Sequence, residues 1–498
     1  MLSLLVAALV LLGMPIFAAM AGFTELAWLT HDNPSMRVLR FLAPDVLDER
    51  FAGNPVLVTV PLFTFLGYML AESKTPARIV RAAEAFLGWM PGGLAIVCIM
   101  ASAFFTTFTG GSAITIVAIG ALLYPAMVKA GYPERFALGL VTTSGSVGLL
   151  LPPSLPILIY SLFAGIDFTK AFKSGIAPGM LVIVLLSGYA VYVAIKHRVP
   201  RKQFVVRETG LALWDLKWEL GIPVLILGGL ATGLTQIDEV AALSVFYALV
   251  VEVFVYRDIA VKDLPRIIRN SIGLAGGLLL IMAFAMSLTN YIISQQIPER
   301  AYDWLSAIGI HQRWQFLLVL NAFLYFMVMD GISMIIVCVP LVTPFAAAFG
   351  IQPFHMCIMF LLNLEVCNLT PPFGQNVFVA SYRFNRSTMD LYRFTFPFLL
   401  VMIAGLIIVD GFPALTTFAV SGDIAAARAE AASAGEAPRV AWSLECVQND
   451  RNDPRPCTVE ESKKWHTPMN GIEEPAASAL PDDDDPSVTS ASDEPPEK

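Results

Sequence analysis

Residues 361–380, LLNLEVCNLTPPFGQNVFVA, have the apolar density of a buried helix, yet Asn363, Glu365, Asn368, Thr370, Pro371, Pro372 and Gly374 run through the middle. Such a stretch cannot stay helical. Each proline lacks an N–H and crowds the preceding turn, so the helix must open around Thr370, Pro371 and Pro372 and leave carbonyls without intrahelical partners. Residues 140–165, LVTTSGSVGLLLPPSLPILIYSLFAG, repeat the design, broken by Ser144, Gly145, Ser146, Gly148, Pro152 and Pro153. Irregular backbone at membrane depth survives only inside protein or against a cavity. Interrupted segments in matching positions of two halves are the sequence mark of a transporter's binding site.

Composition agrees with a membrane setting: 56% of the 498 residues are hydrophobic and 14% are charged, against roughly 25% charged in soluble domains. The formal charge of -8 belongs to the end of the chain, because residues 421–498 hold 17 acidic and 7 basic residues. Nothing in that balance points to nucleic acid. Cys98, Cys338, Cys357 and Cys367 are scattered in apolar segments without metal-ligand spacing, and Cys446 and Cys457 lie in the polar tail. The apolar run at the N-terminus has no Lys or Arg before it, so it reads as a first spanning helix rather than a signal peptide.

Judged against the roughly 20 residues a span requires, the chain divides as follows. Residues 1–54 hold the first helix and a polar loop from about Thr24. Residues 55–196 hold a span at 55–71, an interfacial arm at 73–89, a re-entrant hairpin at about 92–128 with its tip at Gly110, Gly111 and Ser112, a broken helix at 136–165 and a span at 176–195. A linker at 197–270 carries connecting spans at 220–235 and 240–256. Residues 271–412 repeat the order: a span, an arm at 296–309, a hairpin at about 315–349 with Asp330 at its tip, a broken helix at 355–383 and a last span at 394–409. The basic cluster Lys196, Arg198, Arg201 and Lys202 fixes one loop in the cytoplasm. Threading from it puts Arg78, Arg81, Arg257, Arg266, Arg383 and Arg386 inside as well, whereas Arg37, Arg40 and Arg50 fall outside, against the rule. The two copies then run in opposite directions. The expected fold is an all-α polytopic membrane protein of two inverted-topology repeats, each with a hairpin and a broken helix. Residues 413–498 read as a disordered acidic tail, exported to an oxidising compartment where Cys446 and Cys457 are placed to pair.

The segments TGGSAITIVAIGALLYPAMVKAGYPERFALGLVTTSGSVGLLLPPSLPILIY, MDGISMIIVCVPLVTPFAAAFGI and NLTPPFGQNVFVAS resemble the large membrane permease subunit of TRAP (tripartite ATP-independent periplasmic) transporters, over about residues 1–412. That resemblance implies an elevator-type secondary transporter in a bacterial inner membrane. It implies sodium-driven uptake of an organic acid, delivered by a soluble periplasmic substrate-binding protein and assisted by a small four-helix membrane subunit. It points to Gly110, Gly111, Ser112, Ser144, Gly145 and Gly148 in one half. In the other half it points to Asp330, Asn363, Thr370, Pro371, Pro372, Gly374 and Asn376. The sequence departs from the family pattern at Gly331, where many members carry Pro, and at Gly111, where many carry Ser.

Sodium takes hard oxygen ligands, which hydroxyls, amides and freed carbonyls near Ser144 and Thr370 would supply. A pair of kinks whose carbonyls find neighbouring hydroxyls is the bland alternative. Glu365 costs about 2.5–3.5 kcal/mol within a span, so it needs either a structural partner or a part in ion coupling. Asp330 has the same two readings, with helix N-capping as the plain one. His355 reads as an interfacial residue. No cofactor is expected beyond the coupling ion. No GxxxxGK[ST] phosphate loop occurs, against an ATP-driven pump, and the five histidines lie in or near loops, against an enzyme. A stand-alone carboxylate transporter without a binding protein is the remaining alternative.

Overall fold

The computed structural model describes residue 14 and residues 16–29, 55–201, 203–232, 235–294, 304–305, 307–310, 312–326, 331–349, 351–372 and 374–426. Every extended element among these is helical. Four helices are long and apolar enough to cross a membrane, and two bent pairs raise that number to six among the described residues. Asp330, Arg37, Arg40, Arg50, Cys446, Cys457 and most of the second arm lie outside the described residues.

The first repeat is built as its residue types dictate. Helix Pro55–Glu72 turns by 71° into Thr75–Leu87, an arm with Ile79 and Ala82 buried and Arg81 turned outward. The first hairpin is Gly93–Thr109 and Ser112–Lys129, reversed at Gly110, whose φ of 62° is left-handed and suits a residue without a Cβ. The broken helix follows as Glu134–Ser144, a 3-10 turn Val147–Leu150 and Leu155–Ala164, with a 47° bend across the break. Asp167 then caps Phe168–Lys196 by accepting from the Lys170 amide at 2.9 Å.

The second repeat matches this element by element. Arg313–Phe326 and Gly331–Ala348 are its hairpin, Pro353–Cys367 and Gln375–Phe384 its broken helix, and Thr388–Gly411 its closing span. The same sequence interval separates Ser112 from Gly331, Glu134 from Pro353, and Pro152 from Pro371. One residue more separates Leu155 from Gln375 and Phe168 from Thr388. The two broken helices pack together. Tyr160 and Phe360 place their ring centroids 5.6 Å apart. A Cβ on Gly175 would lie 2.2 Å from the Leu150 carbonyl oxygen and 3.3 Å from Ile358 Cδ1.

Four sequence expectations need correction. The N-terminal helix spans Ile16–Leu29 rather than stopping near Thr24, because the Thr24 hydroxyl bonds back to the Met20 carbonyl at 2.8 Å and so does not interrupt it. The first connecting helix is Val206–Thr232, not 220–235, since its polar start is held by the arm. Thr209 donates to the Ala85 carbonyl at 3.0 Å and Asp215 pairs with Arg81 at 2.7 Å. His355 is not interfacial: it is fully buried, with Nδ1 2.9 Å from Thr416 Oγ1. That contact exists because folded chain continues past residue 412. Residues Ala414–Ala426 are helical, and Asp423 pairs with Lys173 at 3.0 Å, so this segment clasps one helix from each repeat.

An ionic hub fastens the arm to the connecting helices. Arg78 reaches Asp258 at 2.6 Å, Glu252 at 3.4 Å and Glu219, with its guanidinium 3.9 Å from the Tyr256 ring centroid. Thr75 donates to Glu252 at 2.9 Å and Lys74 lies 3.4 Å from Asp258. All these residues thread to the same face of the membrane. So do Glu134, Tyr124 and Arg386, in which Glu134 accepts from both partners.

Candidate functional site

At the first break, the residues singled out in the sequence are locked to the hairpin of their own repeat. Ser144, Gly145 and Gly148 are all buried. The Ser144 hydroxyl donates to Ser102 Oγ at 3.2 Å and lies 3.6 Å from Cys98 Sγ. The freed Gly145 carbonyl lies 2.7 Å from Thr106 Oγ1, and the Gly148 carbonyl lies 3.2 Å from Thr107 Oγ1. Gly148 is required here for closeness rather than for φ, because a Cβ would sit 2.1 Å from the Ala103 carbonyl oxygen.

Thr106 Oγ1 also lies 2.8 Å from the Ser102 carbonyl and 2.7 Å from Thr115 Oγ1. Each hydroxyl has a single proton to give, so if Thr115 donates to Thr106, Thr106 can serve only one of the two carbonyls. The result is a cluster of two hydroxyl and two carbonyl oxygens, neutral oxygen ligands of the kind a hard cation takes. Among the described residues no three His, Cys, Asp or Glu side chains are grouped so as to hold a metal ion, and the oxygens around Thr106 are all neutral. Gly110, Gly111 and Ser112 form the hairpin turn beside it, and a Cβ on Gly110 would lie 2.8 Å from Leu155 Cβ at the start of the outer half-helix. Ser154, just before that half-helix, is buried with an unpartnered Oγ. The amide end of the half-helix carries partial positive charge.

The second break opens between Cys367 and Gln375. Asn363 is buried and donates to Asn321 Oδ1 on the second hairpin, and Asn321 donates onward to Asp410 Oδ2 at 3.2 Å. The interval that relates the repeats maps Ser102 onto Asn321 and Ser144 onto Asn363. The same rung between hairpin and broken helix is therefore built twice, from hydroxyls and then from amides. Thr370 bonds back to the Val366 carbonyl at 2.7 Å. Asn376 is buried, its backbone N–H donates to the Asn368 carbonyl at 3.1 Å, and both of its side-chain polar atoms lack partners among the described residues. Glu365 is fully buried, and both carboxyl oxygens lack partners among the described residues. Pro371 and Pro372 are exposed, whereas Pro153 is buried and Pro152 half-buried.

Sequence reasoning missed Ser102, Thr106, Thr107, Thr115 and Asn321, all on hairpins. Isolated Ser, Thr or Asn in an apolar helix commonly bonds its own preceding turn, and only packing shows which hydroxyl faces a break.

A family profile described as "Tripartite ATP-independent periplasmic transporter, DctM component" matches residues 3–415. The C4-dicarboxylate TRAP transporter large permease protein DctM of Rhodobacter capsulatus is 31% identical over 431 residues, 83% of this chain and 96% of that protein. The ectoine/5-hydroxyectoine TRAP transporter large permease protein UehC of Ruegeria pomeroyi is 32% identical over 368 residues, 73% of this chain and 85% of that protein. Among solved structures, the Alcanivorax borkumensis YdaH transporter shares the fold with a TM-score of 0.56 at 16% identity, over 80% of this chain and 96% of its own.

Proposed function

The chain belongs to the DctM component family of tripartite ATP-independent periplasmic transporters, and from that premise we propose that it is the large permease subunit of such a system, carrying an organic acid across the bacterial inner membrane at the expense of a sodium gradient. The observation that supports sodium best is the oxygen set around Thr106, since it offers lone pairs without fixed charge. The half-helix Leu155–Ala164, with its amide end at buried Ser154, supports an anionic cargo nearby. The two relatives above are near-equal in identity yet are named for different solutes. Overall similarity therefore selects the chemical class and not the compound.

We assign the movement to an elevator: the hairpins and broken helices travel as one body, and the connecting helices fastened through Arg78 stay in place. The tight rungs Ser102 with Ser144 and Asn321 with Asn363 support a single moving body. A soluble periplasmic substrate-binding protein and a small four-helix membrane subunit complete the machine. The test is uptake in proteoliposomes holding the chain and its small subunit, with the binding protein outside. Uptake should require an inward sodium gradient and both partners. Uptake on a proton gradient alone would remove sodium from the reading, and saturable uptake by the chain alone would make it a stand-alone carboxylate transporter.

A further inference from the structure

The two breaks have the same backbone problem and different ties. At the first, hydroxyls of the hairpin reach the freed carbonyls of Gly145 and Gly148. The repeat interval maps Thr106 onto Tyr325, Thr107 onto Phe326 and Thr115 onto Met334, so the short hydroxyls of the first hairpin have no equivalents in the second. A different side chain serves the second break. Tyr392, in the closing span Thr388–Gly411, donates from its phenol to the Pro372 carbonyl at 2.9 Å and accepts from the Gly374 N–H at 3.1 Å. It thereby bridges both sides of the break with one oxygen. Its counterpart in the first repeat is Phe172, buried and without a hydroxyl. Where the hairpin supplies hydroxyls the closing span carries phenylalanine at this position, and where the hairpin carries none at the matching positions the closing span supplies a phenol.

We propose that Tyr392 is the positioning residue that holds the second break open, filling from the closing span the place that Thr106 and Thr107 fill from the hairpin at the first. A phenol used as donor and acceptor at once fixes the spacing between Pro372 and Gly374 from the closing span.

Two measurements on the full chain test this. In hydrogen exchange resolved to Gly374, the unaltered protein should protect that amide to the degree of the flanking helix Gln375–Phe384. Tyr392→Phe, which keeps the ring, should speed its exchange about tenfold, the scale of one lost hydrogen bond. Tyr189→Phe, a hydroxyl deletion in the matching span of the first repeat, should leave it unchanged. Loop-like exchange at Gly374 in the unaltered protein, or equal exchange in the unaltered protein and Tyr392→Phe, overturns the proposal. The second measurement is sodium activation of uptake with both partners present, and this arm rests on the sodium-coupled reading. Tyr392→Phe should raise half-saturating sodium about tenfold with maximal rate within about twofold, again one hydrogen bond's worth. Faster exchange with unchanged sodium activation keeps the tie and removes the second break from the ion site.

Discussion

At Gly148 the first break leaves no room for one methyl group: a Cβ there would stand 2.1 Å from the Ala103 carbonyl oxygen, with Thr107 N 2.9 Å away. Backbone cannot step aside as a long side chain can, so Gly148→Ala must push the break off its hairpin and pull the Gly145 carbonyl from Thr106. At Gly374 the nearest atom to a new Cβ is the Asn368 carbonyl oxygen at 2.9 Å, a much less severe overlap. Gly188 has nothing within 4 Å. The expected order of damage in thermal unfolding and in uptake is Gly148→Ala first, Gly374→Ala second and Gly188→Ala near zero. Overpacking costs about 1–3 kcal/mol or more, so the first should lose most of its activity. Equal melting of the Gly148 and Gly188 variants would show that the hairpin and the break are not in close contact.

Between elements, the arm Thr75–Leu87 is fastened by one buried cation, with Lys74 and Arg81 pairing from exposed positions. Arg78 has a side chain 14% exposed and faces Glu219 and Glu252, at 2% and 1%, with Asp258 at 4%. Removing it leaves three buried carboxylates facing one another, with only Lys74 beside Asp258. Arg78→Ala should therefore destabilise the protein by about 3–5 kcal/mol, and Arg78→Lys should recover only part of that, since an ammonium cannot fork between three acids while lying on the Tyr256 ring. Unfolding in detergent checks both, and a loss under about 1 kcal/mol for Arg78→Ala, the scale of an exposed pair, would mean that the hub is solvated. This hub also marks the limit of what the sequence reveals. Proline pairs, glycine turns and long apolar runs are local signals, and they exposed both broken helices, the first hairpin turn and the arm. Glu219 and Glu252 look like charges at span ends until Arg78, far off in sequence, is brought between them. Tyr392 reads as an ordinary aromatic, and His355, next to a polar loop, reads as a surface residue because its cover, Thr416, lies beyond the last span. The helical segment to Ala426 is hidden by its Ala and Ser content, which is also that of a tail.

Across the whole molecule, the inverted repeats put two clusters at opposite ends: Glu134 with Arg386 at one, and Lys173 with Asp423 beside His355 and Thr416 at the other. In a background without native cysteines, Asp423→Cys should react with a membrane-impermeant maleimide once the outer membrane is opened. Arg386→Cys should react only after the inner membrane is opened too. Reaction of both from one side would overturn the inverted arrangement. The unlike ties at the two breaks have a consequence for how the chain is made. The hydroxyls that meet the Gly145 and Gly148 carbonyls precede them by 39 and 41 residues, whereas Tyr392 follows Pro372 and Gly374 by 20 and 18. Ribosomes add roughly 5–20 residues per second. The first break thus emerges with its partners already synthesised, while the second spends on the order of 1–4 s with its carbonyl and amide waiting for a residue not yet made.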